Sequence, residues 1–196
     1  MSVGMSTERH VEKYEKAEFG FWLYLMTDII LFASLFATYM ILRSNVAGSE
    51  GPSDLLDPKF ALVETVLLLT SSFLCGIAAL ALRFKRVRMA LAALAATLLL
   101  GVAFISMELY EFVELYQHGH SWQTSAAWSG FYVLVATHGL HILFGLIWGA
   151  VMFAYLRRHG TTANSVRKFT LFALFWHFLD IVWIFIFTIV YLGARL

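Results

Sequence analysis

Apolar residues along this chain gather in five long runs, roughly 19–42, 60–82, 89–109, 128–156 and 169–192, each free or nearly free of charge. At a helical rise of 1.5 Å per residue, every run is long enough to span the roughly 30 Å of hydrocarbon in a bilayer. The pattern predicts an all-α, polytopic membrane bundle of five transmembrane helices over 19–196, preceded by a charged tail over 1–18. With 60% hydrophobic and 14% charged residues and a mean hydropathy of +0.75, the chain has more apolar surface than a soluble core of 196 residues can hide.

The polar segments between the runs sharpen this picture. The loop from Ser44 to Asp57 is rich in Gly, Ser and Asp and closes on Asp57-Pro58, a carboxylate cap followed by a first-turn proline, so the second helix should start there. The third run opens with the small-residue stretch Met89 to Ala96, which permits close helix contact. The following loop is read as holding Glu111, Glu114, His118, His120 and Trp122, with no Lys or Arg, framed by Tyr110, Tyr116 and Trp128. Short connections predict that spans two and three, and spans four and five, form antiparallel hairpins.

Eleven of the fourteen lysines and arginines fall on one side of a five-pass chain; only Arg43, Lys59 and Arg195 fall on the other. The positive-inside bias puts the N-terminus in the cytoplasm and the C-terminus in the periplasm. The first eighteen residues do not read as a signal peptide, since they are charged throughout and lack an apolar core. The single cysteine, Cys75, excludes an internal disulfide. A net charge of +1 argues against a nucleic-acid partner.

The informative chemistry is polar and lies inside the spans. Asp28 is about 13 Å deep, with no basic residue in its own helix to neutralise it. A neutral, hydrogen-bonded helix contact is favoured there over a proton-handling site. His177 and Asp180 share a helix face about 12 and 16 Å deep, and His138 and His141 share another near the midplane. Depth therefore suggests one polar layer of Asp28, His138, His141, His177 and Asp180, each histidine partnering a carboxylate on another helix. Glu64, Glu108 and Glu111 are shallower, and a solvated outer acidic rim is favoured over an ion path. Trp22, Trp148, Trp176 and Trp183 read mostly as lipid-facing or interface packing. Haem or metal ligation is disfavoured, because the intramembrane histidines are few and no Cys or Glu-x-x-His pattern accompanies them. Arg83, Lys85, Arg86 and Arg88 suit contacts with anionic lipid such as cardiolipin.

Four motifs in order, 19–28 (FGFWLYLMTD), 106–112 (SMELYEF), 137–141 (THGLH) and 175–183 (FWHFLDIVW), resemble those of subunit III of the haem-copper terminal oxidases over nearly the whole chain after the tail. The likeness is greatest to the cytochrome bo-type ubiquinol oxidase branch. The cytochrome c oxidase version typically has seven helices, and in bo-type complexes the two missing here belong to the large subunit.

The resemblance implies an accessory subunit without a catalytic or redox centre, in the inner membrane of a bacterium. Haems and copper would lie in subunit I, its main contact, with subunits II and IV completing a complex that oxidises quinol, reduces oxygen to water and pumps protons. Asp28 matches the family's carbodiimide-reactive carboxylate, where many relatives have glutamate, and the family retains phospholipid between helix groups. Subunit III of a cytochrome c oxidase remains the alternative. An independent proton or ion carrier and a small membrane cytochrome are further ones.

Overall fold

The computed structural model describes residues 2–48 and 51–193, and no strand occurs among the described residues. Helix α1 runs Ser2–Leu42, α2 is a short Pro52–Leu55 turn, and α3 covers Pro58–Arg83. Helices α4 (Val87–Gln117), α5 (Ala126–His159) and α6 (Ala163–Ile186) follow, and α6 runs on into a π-helical turn, Phe187–Leu192. Among the described residues, five segments are long and apolar enough to cross a membrane: Glu18–Leu42, Pro58–Arg83, Val87–Gln117, Ala126–His159 and Ala163–Leu192.

Contacts divide the chain into two units, 1–34 and 35–196, with the boundary inside α1. The first unit is the helical segment itself, in which Thr27 and Ser34 each donate to the carbonyl three residues back. In the second unit α3, α4, α5 and α6 each pack on their chain neighbour, and α6 returns onto α3 to close the ring.

Local signals set the helix ends. Asp57 accepts from the Lys59 amide at 3.0 Å, with Pro58 at the first helical position. Ser125 and Thr162 cap α5 and α6 in the same way. Gly160, at φ +63°, closes α5. The sequence places the end of the third span near residue 109, but α4 continues to Gln117 and carries Glu111 and Glu114 on the helix. Charge made that stretch look like loop. Glu111 is tolerated because its side chain turns into the protein, while Glu114 stays exposed.

Small residues bring α3 against α4. Cys75, Ala78 and Ala90 are wholly buried, and Ser71 and Thr97 exchange side chain to carbonyl hydrogen bonds at 3.2 and 3.3 Å. Two indoles from α6 then reach across the unit. Trp176 donates to Ser71 Oγ and Trp183 to Thr65 Oγ, each at 3.0 Å. Both rings are buried, whereas the sequence pattern favoured lipid-facing or interface positions. Trp176 needs two glycines: a Cβ on Gly101 of α4 or Gly145 of α5 would sit 3.0 or 2.9 Å from its ring.

Candidate functional site

Glu64 of α3 and Glu108 and Glu111 of α4 lie in the half of the second unit that ends at Asp57 and His118. Glu108 and Glu111 are three residues apart and so present both carboxylates on one helix face. Exposure is 0% for Glu64, 3% for Glu108 and 8% for Glu111, so the solvated rim favoured by their shallow depth is a buried cluster. Surrounding helices, rather than distance from the membrane surface, decide their environment.

Each carboxylate has its own setting. Tyr191, on the π-helical turn after α6, donates to Glu111 Oε2 at 2.7 Å. The Glu108 carboxylate rests on Gly139 of α5, where a Cβ would lie 2.6 Å from Oε1. Glu64 faces Glu108 and Glu111 from α3. A cavity of about 290 Å³ reaches Glu111 from the loop end and is also lined by Asp57, Glu114, His118 and His120.

The histidines occupy three different environments. His138 is wholly buried, its ring stacked on Trp183 at 5.4 Å and meeting Phe104 edge-on at 6.1 Å. His141 is half-buried, with Nδ1 hydrogen-bonded to the Thr137 carbonyl at 2.7 Å. His177 is exposed and its Nδ1 pairs with Ser72 of α3, a hydroxyl rather than the carboxylate expected from depth alone. Asp180 is buried and faces Ser72 and Cys75. Asp28 belongs to the first unit, one turn from Tyr24, with which it interacts.

Among the described residues, no group of three or more His, Cys, Asp and Glu side chains could hold a metal ion. Aromatic rings pack against His138 on its face and on its edge.

The model of one protein family, cytochrome c oxidase subunit III, matches residues 4–194. The chain belongs to the cytochrome c oxidase subunit III family. It is 49% identical over 173 residues to cytochrome bo(3) ubiquinol oxidase subunit 3 of Pseudomonas putida, covering 88% of this chain and 84% of the relative. To quinol oxidase subunit 3 of Bacillus subtilis it is 43% identical, over 88% of this chain and 85% of the relative. To cytochrome c oxidase subunit 3 of Bacillus sp. strain PS3 it is 40% identical, over 94% and 90%.

In this subunit III the motifs near Glu108, His138 and His177 fall on α4, α5 and α6. Five residues that shape these surroundings escaped sequence reasoning: Ser72, Gly139, Tyr191, and Ser71 and Thr65, the α3 hydroxyls that receive the indoles. Only Gly139 left a trace, as a glycine between two histidines in mid-helix, where it weakens helix propensity without local benefit.

Proposed function

We propose that this chain is the accessory, non-catalytic third subunit of a proton-pumping haem-copper ubiquinol oxidase. The observation that carries this reading is the 43–49% identity, over 88% of the chain, to third subunits named for quinol oxidases. Haems and copper belong to subunit I in this reading, and the present chain contributes assembly, lipid retention and stability. Subunit I is its main contact, with subunits II and IV in the same complex, in a bacterial inner membrane. The positive-inside bias supports a cytoplasmic N-terminus and a periplasmic C-terminus.

Two features support a lipid role. Arg83, Lys85, Arg86 and Arg88 are all exposed around the tight α3–α4 turn, in which Lys85 takes φ 58°. Basic side chains at headgroup level attract anionic lipid. At the opposite end an apolar groove of about 820 Å³ runs between α4 and α5, lined among others by Phe112, Tyr116, Trp122 and Tyr132, a surface suited to an acyl chain.

The second reading is subunit III of a cytochrome c oxidase, favoured by the 40% identity to the Bacillus relative of that name. Purification of the tagged chain in mild detergent separates the two. Co-purification of a haem-bearing large subunit with quinol-dependent oxygen uptake is the expected result. Oxygen uptake supported by cytochrome c but not by quinol moves the chain to the second reading, and a colourless, solitary chain overturns both.

A further inference from the structure

Glu64 is wholly buried and Glu108 nearly so. None of their four carboxylate oxygens meets a hydrogen-bond partner among the described residues. Among the described residues the titratable groups around them include each other, Glu111, Tyr191 and, from α5, the imidazole of His138, which directly precedes the Gly139 on which Glu108 rests; those around Glu111 include Tyr191, Tyr132, Glu114 and Asp57, with His118 and His120 lining the same cavity. No lysine or arginine is among them. Buried negative charges without a counter-charge or hydrogen bonds are strongly disfavoured, and a second and third carboxylate alongside make the ionised forms worse.

A second observation concerns access. The cavity that reaches Glu111 is lined at its mouth by exposed Asp57, Glu114 and His118, and its roughly 290 Å³ has room for several waters. Glu111 is thus the one member of the three that lines the cavity while facing Glu64 on its inner side. The Tyr191 hydroxyl fixes it there. Gly139 clears the space in which the Glu108 carboxyl rests.

We propose that Glu64 and Glu108 form a proton-holding site, filled and emptied through Glu111 from water in the cavity bounded by Asp57, Glu114, His118 and His120. A proton passes from cavity water to a Glu111 oxygen and then to a Glu64 or Glu108 oxygen. Each transfer breaks one O–H bond and forms one, with no change of oxidation state. The site rests on this chain's own helices and does not depend on the oxidase reading.

Infrared difference spectroscopy on the full chain, purified with its accompanying subunits, tests the proposal. Glu64→Gln and Glu108→Gln should each remove a protonated-carboxyl C=O band from the spectrum at neutral pH. In heavy water those bands should shift, and Glu111→Leu should slow the shift several-fold. Leu56→Phe, which narrows the cavity from its apolar wall and leaves every carboxyl in place, should slow it as well, and serves if Glu111→Leu does not fold. Loss of carboxylate rather than carboxyl bands in the two glutamine variants would overturn the site. Exchange as fast in both Glu111→Leu and Leu56→Phe as in the unaltered protein would overturn the route.

Discussion

The carboxylate of Glu108 lies directly on the Cα of Gly139, so close that a methyl group there would stand 2.6 Å from Oε1 and 2.9 Å from Oε2. A polar group on one helix is thus matched by the absence of a side chain on the next. Gly139→Ala should destabilise the protein by about 1–3 kcal/mol, because α5 or the carboxylate must shift to admit the methyl. Glu108→Ala in the same chain should recover part of that loss, with a coupling of about 0.5–3 kcal/mol. A double-mutant cycle of unfolding in mixed micelles measures it; strictly additive effects would show that the close approach carries no energy.

Tyr191 is held at Glu111 by a π-helical turn, and its hydroxyl is a partner for a carboxylate that is otherwise enclosed. Tyr191→Phe preserves the ring and deletes only the donor. A loss of about 1–3 kcal/mol is expected, the range for stranding a buried acceptor. Unfolding measured beside Glu111→Gln separates the bond from ring packing: the tyrosine substitution should matter less once the carboxylate is gone.

Much of the architecture was legible because a bilayer demands long apolar runs and proteins cap helices with few residue types. Asp57-Pro58 marked the start of α3 within two residues, and the five runs gave the five spans. Failures came where tertiary packing overrides a one-dimensional rule. Glu111 looked like loop because charge usually ends a span, yet Tyr191, eighty positions away in sequence, gives it a partner inside the protein. His177 was paired with a carboxylate from depth alone, but depth fixes a level and not a direction, and the nearby hydroxyl of Ser72 takes the bond. Trp176 and Trp183 looked peripheral because no periodicity on α6 distinguishes a lipid-facing indole from one seated on glycines, as Trp176 is, or between Phe104 and His138, as Trp183 is. The motif around Thr137–His141 was readable as a signature; the reason for its glycine required Glu108 in place.

The basic turn between α3 and α4 offers a prediction about lipid. Arg83, Lys85, Arg86 and Arg88 are exposed, and each juxtamembrane cation contributes roughly 1 kcal/mol of attraction to an anionic surface. Changing all four to Gln should lower the anionic phospholipid retained after mild purification while leaving neutral lipid unchanged. Native mass spectrometry or lipid extraction reads the ratio. An unchanged ratio would leave that turn without a lipid role.

Asp28 sits in a helix whose described spanning part, Glu18–Leu42, has no Lys or Arg to neutralise it. Its proposed role is that of a hydrogen-bonding group at a helix contact. Asp28→Asn keeps size and hydrogen-bonding capacity and should leave assembly and proton pumping intact, whereas Asp28→Leu, which removes both, should reduce assembly. Complex yield and proton-to-electron stoichiometry in vesicles decide it. Loss of pumping in a normally assembled Asp28→Asn complex would mean that the titrating carboxyl itself is used.

Trp176 ties three helices through one side chain: its indole N–H bonds Ser71 on α3 while its ring fills the notches at Gly101 on α4 and Gly145 on α5. Trp176→Phe removes the donor and part of the ring, so its loss should combine roughly 1 kcal/mol for the hydrogen bond with a cavity term of similar size, about 2 kcal/mol in all. Gly145→Ala attacks the same contact from the other side by overpacking, about 1–3 kcal/mol on its own. If the notch is the reason for the glycine, the two changes together should be less damaging than their sum, because the smaller phenyl vacates space that the new methyl can use. Equilibrium unfolding of the single and double variants measures the sign. A sum or worse would mean that Gly145 is required by the backbone approach of α5 and α6 rather than by the indole.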